Sequence, residues 1–276
     1  MAQSLRLLTS VAAIGVALCA AGCSTTSLNE TTGTVVANPT ARSEADWRRE
    51  AEAWGARYRA NPRDPQVAIQ YAQALRSLDQ RSQAASVLQQ AALSNPADKP
   101  LLGAYGRALA DVGSYEQALE VLGRAHTPDQ PDWRILSAQG AVLDQLGRHQ
   151  DAQKYYASAL KIVPDDPAVL SNLGLSYALA KDLPNAEATL RRAGARSSDP
   201  RVRQNLALVV GLQGRFAEAE TIARADLPPD EAAANVAYLK RMLSQPNALK
   251  KMVTPSPAPP KTESDRRAAV STAPSL

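Results

Sequence analysis

The feature that most constrains the fold is a repeat with a period of 34 residues. The segment AIQYAQAL, residues 68–75, is matched at successive offsets of 34 by LGAYGRAL, LSAQGAVL and LSNLGLSY, and RQNLALVV follows after 33. A second apolar segment recurs once in each unit, from RSQAASVLQQAA to RFAEAETIARAD. Because both segments have helical spacing and short turns separate them, the pattern predicts five stacked helix–turn–helix units.

Residue size varies regularly within these units. Small residues recur where the two helices of a unit have to cross closely, and larger residues beside them are predicted to fill the space between units. The small residues are Ala72, Gly106, Gly140, Gly174 and Ala207 on the first helices, and Ala84, Ala118, Ala152, Ala186 and Ala219 on the second helices. The larger residues are Leu75, Leu109, Leu143, Tyr177, Leu88, Leu122, Tyr156 and Leu190. Gly113, Gly147 and Gly214 occupy the turn within a unit, where a left-handed backbone costs glycine little.

This 34-residue pattern resembles the tetratricopeptide repeat. The resemblance implies an all-α, right-handed superhelix whose first helices line a concave groove that grips extended peptides or a partner's helix. Residues 65–229 would form five repeats, and terminal units of such an array need capping helices. We expect these caps at residues 44–64 and 230–245. Trp47, Trp54 and Tyr58 have helical spacing in the first cap, and we interpret them as core residues rather than a ligand site.

The first 22 residues have the features of a secretory signal peptide. Arg6 precedes an apolar run that is shorter than the roughly 20 residues a membrane-spanning helix needs. The small residues before Cys23 resemble the lipobox of bacterial lipoproteins, although Ala20 stands where that family usually has leucine. In that family the signal is cut before the cysteine and the thiol is acylated. The alternative is ordinary cleavage nearby, which would leave Cys23 as a stray thiol.

On the lipobox interpretation, the mature chain has no thiol for disulfides, redox chemistry or a metal site, because Cys19 leaves with the signal. Acyl chains on Cys23 would hold the protein to a membrane without spanning it. Ser24 stands where enteric lipoproteins retained at the inner membrane have aspartate, which favours the periplasmic face of the outer membrane. Residues 23–43 read as a flexible tether, and residues 246–276 as a disordered, basic, proline-rich tail.

Charge and residue types argue against several function classes. The formal net charge is +4, and it comes from Arg6 and the tail, so the body of the chain is neutral and offers no electrostatic footprint for nucleic acid. Neither His126 nor His149 has a second ligand at metal spacing. There is no phosphate-binding loop after a strand and no nucleophile elbow. We therefore expect a non-enzyme without metal, cofactor or small-molecule substrate.

The first helices supply the candidate binding residues. The family's clamp for a C-terminal carboxylate is not supported, because only Arg134 among the residues at its positions could bind a carboxylate. The residues at those positions are Ile69, Gln73, Ala104, Arg134 and Ala138. The remaining candidates follow from an asparagine pattern and from polar side chains on the same helices. The candidate groove residues are Asn172, Asn205, Asn235, Gln73, Arg107 and Arg134.

The asparagine pattern is the more suggestive of these features. Asn172, Asn205 and Asn235 take the same helical position in three successive elements. One hypothesis is a ladder that bonds the backbone of a bound peptide, because an amide offers both a donor and an acceptor. The alternative is local, with each asparagine bonding a neighbouring helix end or turn.

The last repeat and the helix after it carry a more specific resemblance. The runs RQNLALVVGLQGRFAEAE and LPPDEAAANVAYLKRML resemble the C-terminal part of TadD-type lipoproteins of the tight-adherence (Flp) pilus machinery. The resemblance implies a small lipoprotein needed for pilus assembly, helping the outer-membrane secretin to localise or assemble. Periodicity alone leaves open an alternative, a lipoprotein scaffold for peptidoglycan enzymes.

Overall fold

Residues 42–244 are described by a computed structural model. Within that range the chain forms twelve α-helices and no β-strand, apart from one isolated bridge between Thr127 and Gln130. The helices are α1 Glu44–Ala60, α2 Pro65–Ser77, α3 Arg81–Ser94, α4 Lys99–Asp111, α5 Tyr115–Arg124, α6 Trp133–Gln145, α7 His149–Ile162, α8 Pro167–Leu179, α9 Leu183–Gly194, α10 Pro200–Leu212, α11 Phe216–Ala223 and α12 Pro229–Ser244.

The even-numbered helices α2 to α10 are the first helices of the five units, and the odd-numbered helices α3 to α11 are the second helices. The signal peptide, Cys23, nearly all of the tether and the basic tail lie outside the described residues, so their assignments stay predictions. None of the twelve helices is long and apolar enough to cross a membrane.

Each first helix begins at an aspartate that caps its N-terminus. Asp64 is representative, because its Oδ1 accepts hydrogen bonds from the backbone N–H groups of Gln66 (2.9 Å) and Val67 (3.1 Å). Proline follows the cap within two positions on four of the five first helices, where a missing N–H costs nothing. The turns between units therefore both end one helix and start the next.

The turn inside each unit has a left-handed residue at the same position. Gly113, Gly147 and Gly214 have φ angles of 80°, 72° and 82°, as the sequence predicts. In the other two units the equivalent residues are Asp79 and Lys181, with φ angles of 58° and 65°. The stacking of the helices therefore imposes this backbone conformation even where the residue is not glycine.

Glycines on the first helices allow the two helices of a unit to approach closely. A Cβ atom on Gly106 would lie 2.5 Å from Leu122 Cγ, and one on Gly174 would lie 2.6 Å from Leu190 Cγ. A Cβ atom on Gly140 would lie 2.7 Å from the Tyr156 ring. These leucine and tyrosine side chains were expected between units. They also pack over the glycine of their own unit, because the missing Cβ opens a space there, and each shares an apolar cluster with the first helix of the next unit.

The curvature of the array follows from which helices touch. The backbones of consecutive first helices approach one another closely in the described structure, whereas those of consecutive second helices stay farther apart. The first helices therefore lie on the inner side of a curved stack. Helix α12 contacts both α10 and α11, so it takes the place of a sixth first helix.

Candidate protein-binding groove

The inner surface of the stack is formed by one stripe of side chains on each first helix and on α12. Residues spaced i, i+4, i+7 and i+11 share one face of a helix, and here that face points away from the second helices. We call this set the inner stripe. It comprises Gln66, Gln70, Gln73 and Ser77; Pro100, Ala104, Arg107 and Asp111; Arg134, Ala138, Ala141 and Gln145; Ala168, Asn172, Leu175 and Leu179; Arg201, Asn205, Leu208 and Leu212; and Glu231, Asn235, Tyr238 and Met242.

The inner stripe changes character along the array. Its members on α2, α4 and α6 are polar, charged or alanine, apart from one proline, whereas those on α8, α10 and α12 include six large apolar residues. Three of these are well exposed, with 52% of Leu179, 44% of Leu208 and 57% of Tyr238 accessible. They make up half of the large hydrophobic residues exposed in residues 42–244. Apolar side chains gathered on one exposed face are typical of a protein-binding surface.

The asparagines predicted as a ladder connect neighbouring first helices. Asn205 Nδ2 donates a hydrogen bond to Ser171 Oγ at 3.0 Å, and Asn172 Nδ2 donates to Ser137 Oγ at 3.4 Å. Asn235 on α12 is exposed and makes no such bond in the described structure. The asparagines are thus partly used in holding the stack together. Their amide oxygens accept no hydrogen bond from any described residue, so they can still serve a ligand.

The serine partners were missed at the sequence level. Ser137 and Ser171 are 34 residues apart, and both are 8% exposed. Ser171 directly precedes Asn172 on α8, and Ser137 directly precedes Ala138, the equivalent residue on α6. Their spacing was visible in the sequence, but the bonds run between units rather than to a helix end or turn.

The polar half of the inner stripe contains the candidate residues Gln73, Arg107 and Arg134. Gln73 is exposed, and its side chain makes no hydrogen bond to a described residue. Arg134 is exposed, with its guanidinium carbon 4.4 Å from the centre of the Trp133 ring. Its backbone N–H donates to Asp132 at 2.7 Å. Arg107 is half-buried and lies between these two residues along the array.

A buried polar cluster lies behind the inner stripe where the third and fourth units meet. The side chain of Asp144 is 7% exposed and accepts hydrogen bonds from Ser176 Oγ at 2.8 Å, His149 Nδ1 at 2.9 Å and Tyr156 OH at 3.1 Å. Burial and then the Asp144 charge raise the pKa of Tyr156, which therefore stays protonated and donates. We interpret this cluster as structural, because its donors all point at one carboxylate.

The other histidine also has a local partner. His126 Nε2 lies 3.2 Å from Gln139 Oε1, in the loop before α6. No group of three or more potential metal ligands is present among the described residues. The partner of His126 is thus an uncharged amide, whereas His149 belongs to the Asp144 cluster.

Comparison with known proteins agrees with this architecture. The sequence profile of the tetratricopeptide repeat matches residues 145–209. No curated protein matches the chain significantly. Among solved structures, the chain is similar to a thermophilic TPR protein of Thermus thermophilus, with a TM-score of 0.57 and 23% identity over 64% of this chain and 100% of that one.

Two further structures extend the similarity. PilW, described as a widely conserved type IV pilus biogenesis factor, has a TM-score of 0.55 and 17% identity over 76% of this chain and 92% of that one. A chain of the APC/C hetero-tetramer Cut9-Hcn1 has a TM-score of 0.56 and 19% identity, over 70% of this chain and 40% of that one. At these identities the similarity concerns the fold. The prediction of an all-α tetratricopeptide superhelix is confirmed, and such arrays mediate protein–protein interactions.

Proposed function

We propose that this chain is a lipid-anchored scaffold for assembly of a tight-adherence (Flp) pilus, held by acylated Cys23 at the periplasmic face of the outer membrane. The array would bind a segment of an outer-membrane secretin or of another pilus component in its groove. Anchoring in the partner's membrane would raise the effective concentration of the two proteins without any new contact.

The observation that carries the binding part of this proposal is the exposed apolar half of the inner stripe. Leu179, Leu208 and Tyr238 are left accessible on the inner side of the stack, on helices that also present asparagine amides. A protein segment that covers these side chains would remove apolar surface from water, and its backbone could donate to the amide oxygens.

One sequence resemblance supports the pilus assignment, and one structural similarity supports the architecture. The C-terminal runs RQNLALVVGLQGRFAEAE and LPPDEAAANVAYLKRML resemble TadD-type lipoproteins, and they form α10 to α12, the apolar end of the inner stripe. The type IV pilus biogenesis factor PilW shares the fold over most of both chains. The resemblance of the two runs supports the tight-adherence system, while the PilW structure supports only the architecture.

Affinity capture from gently cross-linked membranes tests the proposal. The tagged full-length protein is isolated, and the proteins captured with it are identified by mass spectrometry. We expect a secretin or another pilus-export component to dominate. Cell-wall synthases or hydrolases in its place would contradict the pilus assignment and support a scaffold for envelope enzymes.

A pair of matched variants tests whether capture uses the groove. The double variant Leu179→Asp and Leu208→Asp places charge on the inner stripe and should abolish capture. Leu93→Asp is the control, because Leu93 is 74% exposed but lies on α3, a second helix outside the inner stripe. Capture that survives in the double variant, or that is lost equally in the control, would contradict binding in the groove.

The anchor is tested separately with Cys23→Ser. The variant should be released to the periplasm with a normal helical circular dichroism spectrum, and piliation should fall. Full piliation with a released protein would show that the anchor plays no part in assembly.

A further inference from the structure

We propose that Arg107 is an anion-binding residue that selects partner segments carrying an acidic side chain about eight residues from an apolar one. This inference rests on the proposed function, in that it assumes a protein segment in the groove, and it adds the chemistry of that segment. It does not depend on which protein supplies the segment.

Arg107 is a cation without a partner in the described structure. Its side chain is half-buried on the inner stripe of α4, yet it makes no hydrogen bond or ion pair with any residue between 42 and 244. Other partly buried arginines are paired, since Arg76 bonds Asp111 and Arg203 bonds Asp226. A half-buried guanidinium has lost much of its hydration, so an anion that pairs with it gains more than at an exposed arginine.

The surroundings of Arg107 keep it available. The two nearby carboxylates are already engaged, since Asp111 bonds Arg76 and Asp132 caps the N-terminus of α6. Arg134 lies close enough for its charge to act on Arg107. Around Arg107, the three guanidinium groups of Arg76, Arg107 and Arg134 therefore outnumber the two carboxylates. Burial, followed by the charge of Arg76, lowers the pKa of Arg107, as expected for a cation that lacks a counter-ion.

The guanidinium of Arg107 lies back along its own helix, beside Gly103 one helical turn earlier. Arg107 Nη1 lies 3.7 Å from where a Cβ atom on Gly103 would stand. A side chain held against the helix loses less conformational freedom when an anion binds.

The apolar half of the inner stripe determines how far the acidic residue of the partner segment should lie from its apolar residue. Arg107 and Leu208 occupy equivalent positions on α4 and α10, three steps apart in the stack. Packed helices lie about 8–10 Å apart, so the two residues are separated by roughly 24–30 Å. An extended chain advances about 3.3 Å per residue, which gives about eight residues between the acidic and apolar contacts.

Fluorescence anisotropy with synthetic peptides tests the inference on the full-length protein in detergent. The probe is a labelled twelve-residue peptide with two glutamates near one end, leucines near the other and Gly-Ser spacers. Both termini are blocked, so that no terminal carboxylate competes. It is made in both chain directions, and each peptide has a copy in which glutamine replaces glutamate. We expect the better glutamate peptide to bind at least tenfold more tightly than its glutamine copy.

Variants of the protein assign that preference to one residue. Arg107→Gln should remove the preference for glutamate, and Arg107→Lys should restore part of it. Lys161→Gln, an equal charge change on the second helix α7, should leave the preference intact. Equal binding of the two peptides, no binding of either, or a preference that survives in Arg107→Gln would overturn the inference.

The outcomes for the inference and for the proposed function can be told apart. If the peptides behave as expected but membrane capture yields cell-wall enzymes, Arg107 keeps its role and the pilus assignment fails. If capture yields a secretin but the peptides show no preference for glutamate, the pilus assignment stands and the role of Arg107 is wrong.

Discussion

The two ends of the array differ in how their apolar cores are organised. From α2 to α6 one continuous apolar cluster runs through the core, with Tyr58 of α1 packed against it. From α6 onward the buried apolar residues divide into four smaller clusters. Helix α6 belongs to both regions, since Ile135 lies in the large cluster and Leu136 in the next one.

Polar groups occupy the places where the apolar core is divided. The Asp144 cluster, the serine–asparagine bonds and several ion pairs connect the units from α6 to α11. The same region carries the exposed apolar half of the inner stripe. We therefore expect the two regions to differ in how far a local change spreads and in how strongly their stability depends on salt and pH.

The largest effects should come from equivalent core leucines in the two regions. Leu122 and Leu190 are both fully buried, each over the glycine of its own unit. Leu→Ala at either site should cost about 2–5 kcal/mol. Because Leu122 lies in the continuous cluster, its loss should lower amide hydrogen-exchange protection from α2 to α6, whereas loss of Leu190 should affect mainly α8 to α11. Equal spread in the two variants would show that the regions do not differ in cooperativity.

The next effect concerns the buried carboxylate between the two regions. Asp144→Ala removes the carboxylate that accepts hydrogen bonds from Ser176, which is fully buried, and from Tyr156, and it should cost about 1–3 kcal/mol in urea denaturation. Asp144→Asn is the control, because its amide oxygen keeps one acceptor. If both variants were as stable as the parent protein, the hydrogen bonds to Asp144 would not contribute to the stability of the fold.

A smaller effect should be equal in the two regions, because both share the turn within a unit. Asp79→Gly and Lys181→Gly replace left-handed residues with the one residue that adopts this conformation freely, and each should add about 0.5–1 kcal/mol. Gly147→Ala should show the opposite sign. Thermal denaturation of the three variants provides the measurement, and a gain confined to one region would mean that the turns are not equivalent.

The smallest effect concerns the ion pairs around Glu187, which lies between Arg191 and Arg215. Burial acts to raise the pKa of this carboxyl, but hydrogen bonds from Gln213, Arg191 and Arg215 outweigh it and hold the pKa below its ordinary value. A lowered folded-state pKa means that the contribution is present at neutral pH and is lost as the pH falls through that folded value.

Glu187→Gln should therefore cost less than about 1 kcal/mol at neutral pH and low salt. The difference from the parent protein should shrink in high salt and at a pH below the ordinary range for glutamate, near 4. Urea denaturation at two salt concentrations and two pH values measures it. A difference that is constant across these conditions would indicate lost packing rather than lost charge pairing.

Much of the fold could be predicted because its signals are local. Spacing, aspartate caps and turn glycines each act within a few residues, and the period places them in register. The left-handed conformation of Asp79 and Lys181 could not be predicted from residue type, since it is imposed by helices that pack on either side. Its only signal was the position of these two residues in the alignment of repeats.

The groove was harder to predict than the fold. The sequence placed Asn172 and Asn205 at one position, but whether an amide faces a ligand or a neighbouring serine depends on the rotation of one helix against the next. Likewise, Arg107 looks like any surface arginine until the structure shows that nearby carboxylates are engaged elsewhere. Side-chain pairing between units is a three-dimensional property that a period alone does not encode.

The residues of the inner stripe are under different constraints from the residues that maintain the fold. Gln73, Arg107, Ala141, Leu175 and Leu208 occupy one equivalent position in five successive units, and none of them is buried in the core. A position that accepts an amide, a cation, a methyl group and two leucines places almost no demand on folding. Such a chain can therefore diverge toward new partners by point mutation along its inner face, while the crossings and turns that maintain the superhelix stay under constant constraint.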